Sequence, residues 1–517
     1  MLAAVRSAAV LGIEAYDVTV EVDAALGLPT WIIVGLAASA VKESRERVSA
    51  AIVNSGFALP PRRVVVNLAP ADTRKEGTAF DLPIALALLT ATGQLAPEVT
   101  ADLVVVGELG LDGEIRAVRG ALPIARRVAQ RAPRTSLGDG ARTLVLPPTN
   151  VAEAALVPRV RLATAPTLAA LVHALRRHEL GPAHVELSAR VRPVPDTVDF
   201  ADVVGQPVAK RALEVAAAGG HNILMIGPPG AGKTMLARRM STILPALTEE
   251  EALEVIAIHS VAGELGPDTP LPPPRPFRAP HHTVSGAGLI GGGSVPRPGE
   301  VSLAHRGVLF LDELLELPRH VLDALRQPLE EGRVVIARAI GAVAYPARFT
   351  LVAATNPCPC GRAGDPRGGC RCPAAAIARY RARVSGPLAD RIDIHITIGA
   401  VAVRELGAPS TTDSSAEVRM RVEAARAQQH ARYRELPGIT CNAEVAGRWL
   451  DARSSIDSPA RELLASAADR LALSARGYHR VLRVARTIAD LAAEAAVTAG
   501  AIAEALRYRP TFDAVHQ

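Results

Sequence analysis

Aromatic side chains are scarce: phenylalanine, tryptophan and tyrosine make up 3% of the 517 residues. A protein that binds single strands by stacking successive bases on aromatic platforms, as OB-folds do, needs more of them. Any nucleic-acid contact should therefore run through phosphates and arginine. Lysine is rarer still, at Lys42, Lys75, Lys210 and Lys233 only. The net charge of +6 permits contact with a polyanion without establishing it. Cysteines number five, an odd count that argues against an extracellular disulfide framework. No apolar run has the length to span a bilayer; the nearest, Leu82 to Ala91, is too short and follows Asp81. The N-terminal stretch MLAAVRSAAVLGIEAYDV lacks the order of a signal peptide, because Glu14 and Asp17 follow directly. The expectation is a cytoplasmic chain with no membrane partner. What is present is 49% apolar and 21% charged, a globular balance, over a length that holds roughly two to four domains.

The chain is organised around His221 to Thr234, HNILMIGPPGAGKT. Ile223 to Ile226 reads as a buried strand, and MLARRMSTIL after Thr234 carries helical spacing. Between them, Gly227, Pro228, Pro229, Gly230, Ala231, Gly232, Lys233 and Thr234 form G-x-x-x-x-G-K-T in its required strand-to-helix setting. Glycines let backbone N–H groups turn inward around phosphate oxygens, and the helix N-terminus adds partial positive charge. Lys233 then reaches the β- and γ-phosphates of ATP, and the Thr234 hydroxyl ligates Mg²⁺. A second strand, Val308 to Leu311, delivers Asp312 and Glu313 at its C-terminal end, about eighty residues on. Asp312 can hold Mg²⁺ through water, and Glu313 can orient and deprotonate the attacking water.

Further segments resemble AAA+ ATPases. Asp199 to Gln206, DFADVVGQ, is similar to their entry segment. Asn356, after the apolar run Thr350 to Thr355, stands at the sensor-1 position. Leu388 to Asp393, LADRID, resembles the arginine-finger segment. The resemblance implies that Arg391 reaches a neighbouring subunit's γ-phosphate; the alternative is an ion pair with Asp390 or Asp393. From Ala416 onward helices dominate: Val418 to Glu435, Pro459 to Leu471 with Ser458 as N-cap, Gly477 to Glu494 and Thr498 to Tyr508. Ser474-Ala475-Arg476 stands at the sensor-2 position, where Arg476 would touch the γ-phosphate. Arg480, Arg483 and Arg486 follow at helical spacing, with a solvated or packing face as the rival reading.

The N-terminal third alternates strands (Tyr16 to Val22, Trp31 to Val34, Arg63 to Leu68, Leu103 to Val106, Thr143 to Leu146) with helices (Val41 to Ser55, Leu82 to Thr92, Leu122 to Gln130). Lys75 to Asp81 and Gly107 to Arg116 resemble the Lon-protease catalytic domain. Ala79 and Leu122 occupy its serine and lysine positions, and neither can act as nucleophile or base. The expectation is a Lon-like fold without protease chemistry, either a collar or a purely structural domain. Arg116, Arg119, Arg126, Arg127, Arg131 and Arg134 form a phosphate-facing patch or a solvated face.

With Phe277 to Thr283, FRAPHHT, and Ser474 to Arg480, SARGYHR, these segments are similar to the ComM/YifB type of magnesium-chelatase-like AAA+ ATPase over essentially the whole length. The resemblance implies an α/β class: an AAA+ P-loop NTPase core (199–400) with insertions and a C-terminal helical lid (401–517). An α+β Lon-protease-like, ribosomal S5 domain 2-like domain (1–180) and a Pro-containing linker (181–198) precede them. It further implies a homohexamer that translocates DNA and drives branch migration in recombination. A chelatase-type metal-insertion motor and a protein-remodelling chaperone remain rivals. Gly286 to Ser302 resembles a helix-2 insert. Arg333 to Arg348 suggests a β-hairpin, the pre-sensor-1 hairpin of this branch, with Arg338 near a pore-facing tip. His281-His282 has no close acidic or cysteine partner in the sequence, and a loop-positioning role is expected.

Cys358-x-Cys360 and Cys370-x-Cys372 place four thiols in a Pro/Gly-rich loop. Four thiolates suit tetrahedral Zn²⁺, although C-x-C is tighter than the usual spacing; reduced or redox-active thiols are the alternative.

Overall fold

The computed structural model describes residues 1–131, 142–183, 198–266, 269–293, 296–338, 341–364, 368–399 and 413–509. Arg134, most of the expected linker and the 400/401 boundary lie outside them, as do the Arg338 side chain and the hairpin tip.

The N-terminal region carries a seven-stranded mixed sheet. Its strands are β1 (Leu2–Leu11), β2 (Glu14–Ala25), β3 (Thr30–Val34), β4 (Arg63–Ala69), β5 (Leu103–Val105), β6 (Thr143–Val145) and β7 (Arg161–Ala163), in the order β3-β4-β2-β1-β5-β6-β7. β1 and β2 pair antiparallel along their whole length, Leu2 opposite Asp23 through Leu11 opposite Glu14. Helix α1 (Asp81–Ala91) is apolar all round and wholly buried, whereas α2 (Ala121–Arg131) buries only one face. The expected helix from Val41 breaks at Glu43 into two pieces.

The two Lon-like stretches meet. The Gly107 N–H donates to the Ala79 carbonyl at 3.0 Å, and the Leu82 N–H to the Gly107 carbonyl at 3.0 Å. Arg47 holds the buried Asp81 carboxylate at 2.6 Å. Ala79 and Leu122 pack in one apolar cluster, with no hydroxyl or amine at either position. Of the arginine group, Arg127 and Arg131 both pair with Asp17, and Arg116 pairs with Glu114. These three are self-paired at the surface, whereas Arg119 packs against Gly263 and, like Arg126, is lowered in pKa by burial.

The core is a five-stranded, all-parallel sheet ordered β9-β10-β13-β8-β14. Helix α3 (Pro207–Gly219) leads into β8 (Ile223–Ile226), followed by α4 (Lys233–Ile243) and α5 (Glu249–Ala262). β9 (Phe277–Arg278) is a two-residue edge strand, the one place where a proline-rich segment can join a sheet. β10 (Val308–Leu311) precedes the hairpin β11 (Arg333–Arg338) and β12 (Gly341–Pro346), then β13 (Thr350–Thr355) and β14 (Ile394–Thr397). β8, β10 and β13 are buried at every residue, as continuous Val/Ile/Leu-rich strands covered on both faces must be.

The C-terminal helices are α6 (Ser415–Tyr433), α7 (Ser458–Arg470), α8 (Ala475–Leu491) and α9 (Ala499–Arg507). The N-cap of α7 is Asp457 rather than Ser458: its carboxylate accepts the Ala460 N–H at 2.7 Å, so the helix starts one residue earlier. Arg480 and Arg486 are not a solvated face. Both are buried, Arg480 on Asp390 at 2.9 Å and Arg486 on Asp490 at 3.0 Å.

The N-terminal region and the core share an apolar cluster. Val118, Leu122 and Ala125 pack with Ile256 and Ala257 of α5 and with Leu271. The Gly120 N–H donates to the Ser260 carbonyl at 3.1 Å across this seam. Leu122→Ala is expected to cost about 2–5 kcal/mol, because the packed surroundings relax only partly into the cavity. The urea midpoint reads this loss.

Candidate nucleotide-binding and hydrolysis site

β8 runs straight into the phosphate loop, and the turn needs glycine. Gly230 and Gly232 have φ of +77° and +88°, and Gly227 approaches the Ile398 backbone so closely that a Cβ would stand 2.6 Å from its carbonyl oxygen. Lys233 opens α4. Its ammonium donates to the Gly227 and Pro228 carbonyls at 2.7 and 3.0 Å and to Asn356 Oδ1 at 3.2 Å. Burial lowers its pKa below the ordinary range, opposed by Asp312 and Glu313. Lys233 and Asn356 meet because β13 lies directly between β8 and β10.

The Thr234 hydroxyl donates to Asp312 Oδ2 at 2.7 Å, and Asp312 Oδ1 accepts the Glu313 N–H at 2.9 Å. A hydroxyl and a carboxylate oxygen this close can share one hard cation, directly or through water. Glu313 sits at φ +51°, in the left-handed region that non-glycine residues rarely occupy. Its carboxylate contacts His282 Nδ1 at 2.9 Å. His282 thus has the acidic partner that the sequence did not reveal. The reason is the sheet: β9 is the parallel neighbour of β10, so residues following the two strands emerge at the same edge.

Arg391 and Arg476 are elsewhere. Both line a cavity of about 1100 Å³ with Glu330, Arg348 and Arg426, and no residue from 227 to 234 borders it. Arg391 pairs with Glu330, not with Asp390 or Asp393, which are taken by Arg480 and His221. The guanidinium also donates to the Pro387 carbonyl at 2.5 Å, and its backbone carbonyl accepts from Asn222 at 2.8 Å. Arg391, first among its neighbours, holds the Glu330 carboxyl below its usual range. Arg476 is exposed in the first turn of α8, behind the Ser474 cap. One chain therefore presents phosphate-binding residues at one place and two arginines at another.

Comparison with known proteins gives the family. Residues 199–406 match the family described as magnesium chelatase, subunit ChlI. Residues 20–150 match subunit ChlI of Mg-chelatase, and 412–509 its C-terminal family. Competence protein ComM of Haemophilus influenzae is 42% identical over 513 residues, covering 98% of this chain and 97% of that protein. YifB of Escherichia coli, described as uncharacterized, is 41% identical over 523 residues, with the same coverage of both chains. The chain belongs to the ComM/YifB type of magnesium-chelatase-like proteins. The magnesium-chelatase 38 kDa subunit of Rhodobacter capsulatus is 31% identical over 188 residues, 33% of this chain and 52% of that protein. Membership of this magnesium-chelatase-like family makes the chain an AAA+-type ATPase that uses ATP with Mg²⁺.

In this ComM/YifB-type chain the four clustered cysteines converge. Their sulfurs all lie within 4.8 Å of one another. Cys358 to Cys360, Cys358 to Cys370 and Cys360 to Cys370 are 3.4, 3.8 and 3.7 Å apart. A tetrahedron of thiolates at the zinc–sulfur bond length has edges of about 3.8 Å. Cys358 is fully buried and Cys360 exposed. The Arg362 backbone N–H, followed by the neighbouring sulfurs, pulls the Cys360 thiol down to about 6, while, against a backbone N–H bond to each, desolvation and contact with Cys360 and Cys358 push Cys370 and Cys372 up, so the cluster favours one thiolate when no ion is bound. No helix among the described residues is long and apolar enough to cross a membrane.

Proposed function

We propose that the chain assembles as a homohexameric ring in which ATP binds between subunits, and that hydrolysis drives movement along branched or single-stranded DNA. The observation that carries the ring is the separation of Arg391 and Arg476 from the P-loop on one chain. Both arginines can serve a nucleotide only when a second copy brings its P-loop to that cavity.

In this reading Gly227 to Gly232 cradle the phosphates, Lys233 swings from its carbonyl acceptors to the β- and γ-phosphates, and Thr234 with Asp312 holds Mg²⁺. Bound Mg²⁺ neutralises charge developing on the phosphates. Glu313 takes the proton of the attacking water, and Asn356 aligns that water. Glu330 keeps Arg391 oriented until the neighbour's phosphates compete for it. The four thiolates hold structural Zn²⁺.

The DNA part rests on likeness to ComM at 42% identity across 98% of the chain, whereas the 38 kDa magnesium-chelatase subunit of Rhodobacter capsulatus, one protein of the family whose models match most of this chain, aligns over 33% at 31% identity. That difference favours a DNA motor over a metal-insertion motor. The hairpin of β11 and β12 supports it, as an inserted element that can reach a pore, with Arg338 as the phosphate contact. DNA supplies the test. Single-stranded or forked DNA is expected to raise the ATPase rate several-fold, and the protein is expected to move a synthetic four-way junction only with ATP. An ATPase indifferent to DNA, with no junction movement, removes the motor and leaves the ATPase.

A further inference from the structure

We propose that the four-cysteine site is a metal-occupied regulator of ATP hydrolysis. Its soft divalent ion, zinc by the chemistry of the donors, fixes the loop that carries Asn356 and supports the P-loop. This rests on the zinc reading above and adds a consequence for turnover.

The connection is short and continuous. Asn356 accepts from Lys233 at 3.2 Å, and Cys358 is the second residue after it. The chain then turns, with the Gly361 N–H donating to the Cys358 carbonyl at 2.9 Å and the Ala363 N–H donating to Cys358 Sγ at 3.3 Å. N–H groups aimed at a ligating sulfur orient the ligand and tune the ion. Gly361 lies directly against the phosphate loop: a Cβ there would stand 2.7 Å from Pro229 Cδ and 3.8 Å from Asn356 Cγ. The same few residues thus carry one metal ligand inward and touch two parts of the nucleotide site.

The ligands also have a direction. Cys358 is buried beside the nucleotide site, Cys360 is exposed, and Cys370 and Cys372 are half-buried. An ion arriving from solvent meets the outer thiolates first and, by engaging Cys358, clamps the residues that follow Asn356. Besides the turn, the segment is tied by Lys233 to Asn356 Oδ1, by Thr355 Oγ1 to the Asn356 carbonyl at 3.3 Å and by Arg381 Nε to the Pro357 carbonyl at 3.4 Å. A proline- and glycine-rich loop without a regular element of its own gains one fixed shape from a bound ion. A displacement of Asn356 by an ångström would misalign water without unseating ATP, so the effect should fall on kcat and not on nucleotide affinity.

The test uses the full-length protein, purified without an affinity tag. Zinc content, fluorescent-ATP affinity, ring assembly by light scattering and kcat are measured before and after a zinc-selective chelator in excess Mg²⁺. The expected result is one zinc per chain. Its removal should lower kcat on the order of 10- to 100-fold, with ATP affinity and assembly unchanged and with recovery on adding Zn²⁺. Gly361→Ala keeps all four thiolates but adds a methyl against Pro229 at a backbone φ of +77° that favours glycine, so it perturbs the turn itself; it should keep its zinc and still lose kcat. If zinc is present but its removal and Gly361→Ala both leave kcat unchanged, the coupling is overturned while the structural zinc stands. If no metal co-purifies and Zn²⁺ added to the reduced protein does not bind, the zinc reading itself falls, and the proposal with it.

Discussion

Glu313→Gln is expected to leave ATP bound and to stop its turnover. The substitution changes neither the size of the side chain nor its position after β10, so Asp312, Thr234 and Lys233 keep their mutual contacts. What disappears is the ability to take a proton from water, an effect of about 10²- to 10⁴-fold in rate. The amide can still meet His282 Nδ1, where the native carboxylate lies at 2.9 Å. The site should therefore remain assembled, with nucleotide affinity within about twofold of the native protein. Filter binding of ATP and single-turnover phosphate release separate the two quantities. Persistent release would mean that another group acts as base.

Arg391→Ala is expected to lower kcat by about 10³-fold or more, the scale of an arginine that neutralises transition-state charge. Here the diagnostic is complementation. A chain lacking Arg391 keeps its own P-loop and Glu313, and a Glu313→Gln chain keeps its Arg391. Each should be inactive alone. Mixed and allowed to exchange, they form some interfaces with an intact P-loop on one side and an intact arginine on the other, roughly one in four for random mixing in a ring. Recovery of ATPase activity in the mixture, absent from either component, is the expected result. A mixture as inactive as its parts would place Arg391 in its own subunit's site, or in none.

These roles follow from motifs that local sequence can carry. A phosphate loop is one turn flanked by a strand and a helix, and an acidic pair at a strand end is equally local. The partners of those residues are not local. His282 is 31 positions from Glu313 and Glu330 is 61 from Arg391; only the parallel order of β9 and β10, and the fold around the cavity, bring them together. The same limit explains β1. Leu2–Leu11 buries alternate residues as far as Ser7 and then Ala8 and Ala9 in succession, its alanines blur the apolar/polar alternation, and only pairing with β2 reveals it. The start of α7 differs by one residue because two capping residues stand side by side, Asp457 and Ser458. For Arg480 and Arg486 helical spacing leaves a solvated and a packing face equally open, because it says which residues share a face and not what that face meets; burial decides for packing.

The seam between α2 and α5 changes how the N-terminal region can move. A segment joined only by a flexible tether diffuses independently and transmits no torque. Here apolar side chains from both sides interlock, and Gly120 and Ser260 are bonded across the contact. α5 also borders the cavity lined by Arg391 and Arg476, so a rotation of α5 there would carry the seven-stranded sheet with it as a stiff lever.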